Sequence, residues 1–166
     1  MIELASGDLL SADAQALVNP VNCVGAMGRG LAAQFRDAFP ENFDAYRAAC
    51  RNGVLQPGRV LATELRGDRY VINFPTKRHW RSASRVEDIV AGLEAFVDEL
   101  ERLGVRSVAV PALGCGAGGL DWADVRPMLV DAFEGLPDVR VFLFEPQQPS
   151  PLQRRDKPDA PDARPG

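Results

Sequence analysis

The chain has 166 residues, 46% of them hydrophobic and 7% aromatic, with 23 acids against 19 Lys and Arg for a net charge of −4. That length and apolar share suit one packed domain, and no apolar run approaches the roughly 20 residues of a membrane-spanning helix. The mild acid excess excludes a protein that holds nucleic acid by bulk charge alone, and leaves room for a local basic patch.

The N-terminus MIELASGDLLSADA has neither the basic flank nor the apolar stretch of a secretory signal. Ile2–Ala5 reads as a first strand and Ala16–Val21 as a second, and Leu31–Ala38 and Asn42–Arg51 follow with helical spacing. Arg59–Glu64 and Tyr70–Phe74 are strand-like runs rich in Val, Leu, Ile and Phe. Arg85–Leu103 is the clearest helix, with Ile89, Leu93, Phe96, Val97 and Leu100 along one face. Ser84 and Glu87 read as an S-x-x-E capping box at its start. Ser107–Ala112 is the next strand, Ala123–Phe133 the next helix with Asp121 as its N-cap, and Val139–Phe144 the last strand. Strands alternating with helices predict an α/β domain over residues 1–145, a largely parallel or mixed sheet covered on both faces. From Pro146 to Gly166 the chain holds 6 of its 13 prolines and only Leu152 as a large apolar residue, which reads as a disordered tail or linker.

Ligands of such sheets sit beyond the carboxyl ends of the strands, and two strand-to-helix loops there are rich in glycine. The first runs from Asn22 through Gly25 and Gly28 to Gly30. The second is Gly114-Cys115-Gly116-Ala117-Gly118-Gly119. Glycine lets backbone N–H groups converge on one spot and lets phosphate oxygens approach without a Cβ in the way. Neither loop fits G-x-G-x-x-G or a P-loop. The alternative is that the glycines only make tight turns; two such loops favour a diphosphate held between two backbone cradles.

Residues 77–85 carry Lys77, Arg78, Arg81 and Arg85 with no acid before Glu87, and set His79 and Trp80 among them. Guanidinium groups beside an aromatic ring suit single-stranded nucleic acid; the plainer reading is a solvated loop with Trp80 packed on the body. Lys77 and Lys157 are the two lysines of the chain, so Lys77 is alone in the body. Lysine, unlike arginine, can lose its proton and act as nucleophile or base. His79 is the single histidine, and Cys23, Cys50 and Cys115 form no C-x-x-C pair. No metal or cofactor is expected, nor a disulfide framework, and a reducing cytosolic setting follows.

Gly7-Asp8-Leu9, Leu17–Asn22, the 25–30 loop, INFPTKRHW at 72–80 and PALGCGAGGLDW at 111–122 together resemble a macrodomain. The resemblance is to the branch that serves DarT–DarG toxin–antitoxin systems, and it covers about residues 2–145. It implies a three-layer α/β/α fold that binds ADP-ribose, and an ADP-ribosyl glycohydrolase that clears thymine bases of single-stranded DNA after a DarT-type toxin has modified them. Lys77 then matches the catalytic lysine. Asp8 and Leu9 take the adenine end with Phe144 beside it, Asn22 faces the distal ribose, Gly114, Cys115, Gly116, Ala117, Gly118 and Gly119 cradle the diphosphate, and Gly28 and Gly30 line the opposite wall. Arg78, Arg81 and Arg85 track DNA phosphates, with His79 and Trp80 set against the bases. Macrodomains that act on protein glutamate carry an aspartate where Gly118 stands, which turns the reading towards DNA. A module that binds ADP-ribose without cleaving it, and a hydrolase of ADP-ribosyl-glutamate, are the alternatives.

Overall fold

The computed structural model describes residues 1–146, so the expected tail lies outside the described residues except for Pro146. Six strands form one sheet in the order β1-β6-β5-β2-β4-β3. They are β1 (Ile2–Ala5), β2 (Ala16–Asn22), β3 (Leu61–Leu65), β4 (Arg69–Lys77), β5 (Ser107–Val110) and β6 (Arg140–Phe144). All neighbours pair parallel except β3, which runs antiparallel against β4. The mixed, largely parallel sheet expected from the alternation is thus found.

The helices are α1 (Gly30–Ala38), α2 (Pro40–Arg51), α3 (Val86–Leu103) and α4 (Trp122–Glu134). Side chains alternate across each strand, and both faces are apolar. Val18, Ile72, Phe74, Val108, Val110, Val141 and Leu143 pack under α3 and α4 with Ile89, Leu93, Phe96, Leu129 and Phe133. Leu17, Val71, Ala109 and Phe144 face α1 and its Phe35, while Val21 and Met27 join Tyr46 and Ala49 of α2. The result is three layers, helices over sheet over helices. Inside the α2 layer Asn19, Asn42 and Asn73 are fully buried and bonded to one another: Asn73 Oδ1 accepts from Asn19 and Asn42, each at 3.1 Å, and Asn73 Nδ2 donates to Asn42 Oδ1 at 2.8 Å.

Several element ends shift by about two residues from the sequence reading, as at β3, β5 and α2, and two larger differences bear on the site. The strand expected to stop at Phe74 continues through Pro75 to Lys77. β3 pairs with β4 only as far as Asn73, so beyond it β4 has a neighbour on one side alone, where a missing N–H is tolerated. The capping box at Ser84 and Glu87 does not form. Arg85 is the N-cap of α3 with no side-chain bond, and Ser84 instead gives its backbone N–H to the carbonyl of Gly118 at 2.9 Å. Asp121 does cap α4, accepting from Ala123 N at 3.0 Å. At the opposite pole, β3 and β4 are joined by a turn at 66–68 in which Gly67 (φ +72°) and Asp68 (φ +57°) are left-handed, and Asp68 O accepts from Gln15 Nε2 at 3.2 Å.

Candidate active site

Because β2 and β4 run parallel side by side, their ends bring Asn22 and Lys77 into register. Lys77 is half-buried, and its Nζ donates to the carbonyl of Trp80 at 3.4 Å. Asn22 is 7% exposed, and its amide holds the loop that follows it. Oδ1 accepts from Val24 N (3.1 Å) and Ala26 N (3.4 Å), and Nδ2 donates to Ala26 O (2.8 Å). The buried Tyr46 hydroxyl shares its one hydrogen between Asn22 O (2.8 Å) and Asn22 Oδ1 (2.7 Å). Burial pushes the Tyr46 phenol well up from its ordinary value, so it stays a donor. The loop after β2 is also tied to the end of β4, since Cys23 N donates to Arg78 O at 3.3 Å.

The second glycine loop leads from β5 into α4. Its turns are closed by Cys115 N to Ala112 O (3.1 Å), Gly119 N to Gly116 O (3.1 Å) and Leu120 N to Gly114 O (2.9 Å). Among the described residues, the N–H groups of Gly116, Ala117 and Gly118 meet no acceptor, and Gly116 and Ala117 are exposed. Three successive free donors at a loop crest are a place for an anion. Gly114, at φ +77°, needs the left-handed region that glycine allows. Gly118 needs to be glycine for a different reason, since a Cβ there would overlap Ser84 Oγ and stand 2.5 Å from the Gly114 carbonyl oxygen. No carboxylate side chain fits at position 118. Ser84 is 7% exposed and its Oγ has no partner among the described residues. Cys115 is held as a thiol, pushed up to about 11 by burial and then by Asp121 and Asp124, which suits packing and not nucleophilic attack.

After β2, which ends at the same edge of the sheet as β5, α1 begins at Gly30 with Arg29 as an N-cap that makes no side-chain bond, and Gly28 and Gly30 are exposed. Its first N–H groups are therefore open to an anion, with the helix dipole behind them. After β1, Asp8 accepts from Leu10 N (Oδ1, 3.1 Å) and Ser11 Oγ (Oδ2, 2.8 Å), which leaves lone pairs for a further donor. Asp8 and Phe144 line one groove of about 490 Å³ with Ala5, Ser11 and Phe142. Leu9 is buried against the core, so what it can offer a ligand is its backbone.

The basic segment divides in two. The guanidinium of Arg78 forks onto Asp88 of α3, with Nε to Oδ2 and Nη2 to Oδ1 both at 3.1 Å. Trp80 is 47% exposed, with the Arg81 guanidinium 4.4 Å from its ring centroid and the His79 ring 5.1 Å away. His79 Nδ1 accepts from Arg81 N at 3.1 Å, and Arg85 is exposed. Sequence reasoning missed Tyr46 and Asp88. Tyr46 was within reach, because Asn42, Tyr46 and Ala49 mark one inward face of α2; nothing in the sequence pairs Asp88 with Arg78.

The Macro domain family profile matches residues 18–129. A DNA ADP-ribosyl glycohydrolase of Mycobacterium tuberculosis is 50% identical over 149 residues, 88% of this chain and 42% of the relative. The solved macrodomain of Mycobacterium tuberculosis DarG superimposes with a TM-score of 0.86 at 49% identity, over 89% of this chain and 99% of that one. Thermosipho africanus DarTG, solved in complex with ADP-ribose, gives 0.80 at 32% identity over 90% of this chain and 44% of the other. The chain thus spans about two fifths of the length of the curated relatives it matches.

Proposed function

This chain belongs to the macrodomain family, and from that premise we propose that it hydrolyses the bond between ADP-ribose and thymine in single-stranded DNA, reversing the action of a DarT-type transferase in the cytoplasm. The observation that carries the reading is the placement of Lys77. It ends β4 in register with Asn22, at the sheet edge where β2 and β5 also end and from which the loop with the free N–H groups of 116–118 and the loop leading into α1 both leave.

The two loops grip the diphosphate, and Asp8 and Phe144 receive the adenine. Binding energy from these remote parts orients the distal ribose and its C1″ towards Lys77. Cleavage breaks the bond from C1″ to the thymine nitrogen, whose electron pair leaves with the base. Lys77 as a cation stabilises that departing charge and supplies its proton, while water adds to C1″ and returns a proton to the amine. Trp80 and Arg81 form the platform on which the DNA strand rests.

The test is an oligonucleotide carrying ADP-ribosyl-thymidine, incubated with the wild-type protein and with Lys77→Ala. Release of ADP-ribose by the wild type alone is expected. An adduct that persists with the wild type, or full release by Lys77→Ala, refutes the reading. Borohydride trapping of a covalent adduct on Lys77 would recast the amine as a Schiff-base nucleophile.

A further inference from the structure

Arg78 is adjacent to the proposed catalytic lysine, yet its side chain, half of it still exposed, is bound at its head to a buried carboxylate of α3. Its fork on Asp88 uses both carboxylate oxygens, and the Asp88 side chain is only 8% exposed, in the first turn of α3. A carboxylate so placed neutralises the guanidinium beside it and takes two of its five N–H groups, so Arg78 offers a phosphate less than an unpaired arginine does. Arg81 and Arg85, by contrast, make no ion pair among the described residues. The backbone of residue 78 is fixed as well, because its carbonyl accepts Cys23 N from the loop after β2. Residue 78 is therefore clamped from two directions, by α3 through its side chain and by the loop after β2 through its main chain.

We propose that Asp88, acting through Arg78, is a positioning residue for Lys77, and that Arg78 is not a DNA ligand. This rests on Lys77 being the group that acts on C1″. Lysine has a long flexible stem, so the place of its amine depends on how firmly its Cα is held. The fork on Asp88 holds the next residue in the chain against the helix that lies under β4. A bidentate fork fixes direction as well as distance, which a single ammonium contact does not.

Multiple-turnover kinetics on the ADP-ribosylated oligonucleotide, calorimetric binding of ADP-ribose and the salt dependence of oligonucleotide binding test it together. Asp88→Asn and Arg78→Met should lower kcat by about a hundredfold, the scale of a 1 Å misplacement. KM and the ADP-ribose Kd should stay within about twofold. Arg78→Lys, which keeps the charge and loses the fork, should recover only part of the rate. The slope of log affinity against log salt should be unchanged in Arg78→Met and should shrink by about 0.7 in Arg81→Met, the loss of one phosphate contact on a single strand. Should Asp88→Asn fail to fold, a reduced kcat in folded Arg78→Lys carries the same meaning. Full kcat in Asp88→Asn or Arg78→Lys, or a slope in Arg78→Met that shrinks like that of Arg81→Met, overturns the inference. If the wild type is active and Lys77→Ala is not, such a result removes this inference alone; an inactive wild type removes the parent reading with it.

Discussion

Two glycines of one loop should respond in opposite ways to the same added methyl group. A Cβ on Gly118 would overlap Ser84 Oγ, stand 2.5 Å from the Gly114 carbonyl oxygen and 2.8 Å from Ser84 Cβ. The hydroxyl could rotate away, but the Gly114 oxygen is held by its bond from Leu120 N, so the loop itself must move. Overpacking of this kind costs about 1–3 kcal/mol. With backbone on one side of the clash the upper value applies, and about 3 kcal/mol lowers Tm by about 6–12 °C in a domain of this size. Gly116 is the control, because a Cβ there meets nothing within 4 Å and its φ is not left-handed. Gly116→Ala should therefore leave stability within about 0.5 kcal/mol, while weakening ADP-ribose about tenfold by intruding on the phosphate, a loss of about 1.4 kcal/mol. Thermal unfolding and calorimetry on the two variants read both effects. Gly118→Ala with Ser84→Gly removes two of the three clashes and should regain part of the lost Tm. Wild-type melting of Gly118→Ala, or wild-type affinity in Gly116→Ala, would refute the division of the loop into a packed glycine and a ligand-facing one.

Tyr46→Phe removes the buried hydroxyl that holds Asn22, and should cost about 1 kcal/mol by denaturant unfolding. It should also weaken ADP-ribose in calorimetry as the loop after β2 loosens; an unchanged affinity would separate that loop from the ligand. Cys23 and Cys115 are both raised by burial from 9.0 to about 11, so the folded state keeps protons that the unfolded chain gives up. Their contribution to stability is whole below pH 9 and is lost as pH rises through 11. Denaturant midpoints should fall across that window, and a flat profile would show the thiols to be ordinary.

Much of this architecture is local information. The apolar stripe of α3 and the alternation in β2 and β4 are set by which face each residue buries, and the sequence pattern carries that directly. Pro75 hides the length of β4, because a proline is tolerated in a strand only where one neighbour is absent, and the end of β3 at its pairing with Asn73 is a tertiary fact. Ser84 has the composition of a helix cap, yet the chain spends its backbone on Gly118, far away in sequence. That the two glycine-rich stretches are loops at strand ends was legible, and Lys77 stood out as the one lysine of the body, although its place at the end of β4 did not. What Arg78 touches was not legible, since a run of basic residues shows its charge and not its partners. Asn22 is intermediate: its place at the strand end is readable, but the Tyr46 hydroxyl that claims its oxygens comes from a helix 24 residues on.

The turn at 66–68 lies where β4 begins, and Lys77 lies where it ends. Nine residues of extended strand put about 27 Å between them. Arg66 is exposed at that far pole and is not one of the turn's left-handed residues, so a cysteine installed there could carry a fluorophore, a biotin or a link to a sensor chip. The molecule would then stand with the Lys77 end of β4 facing the solution, a fixed orientation for surface-based measurement of long, charged oligonucleotides.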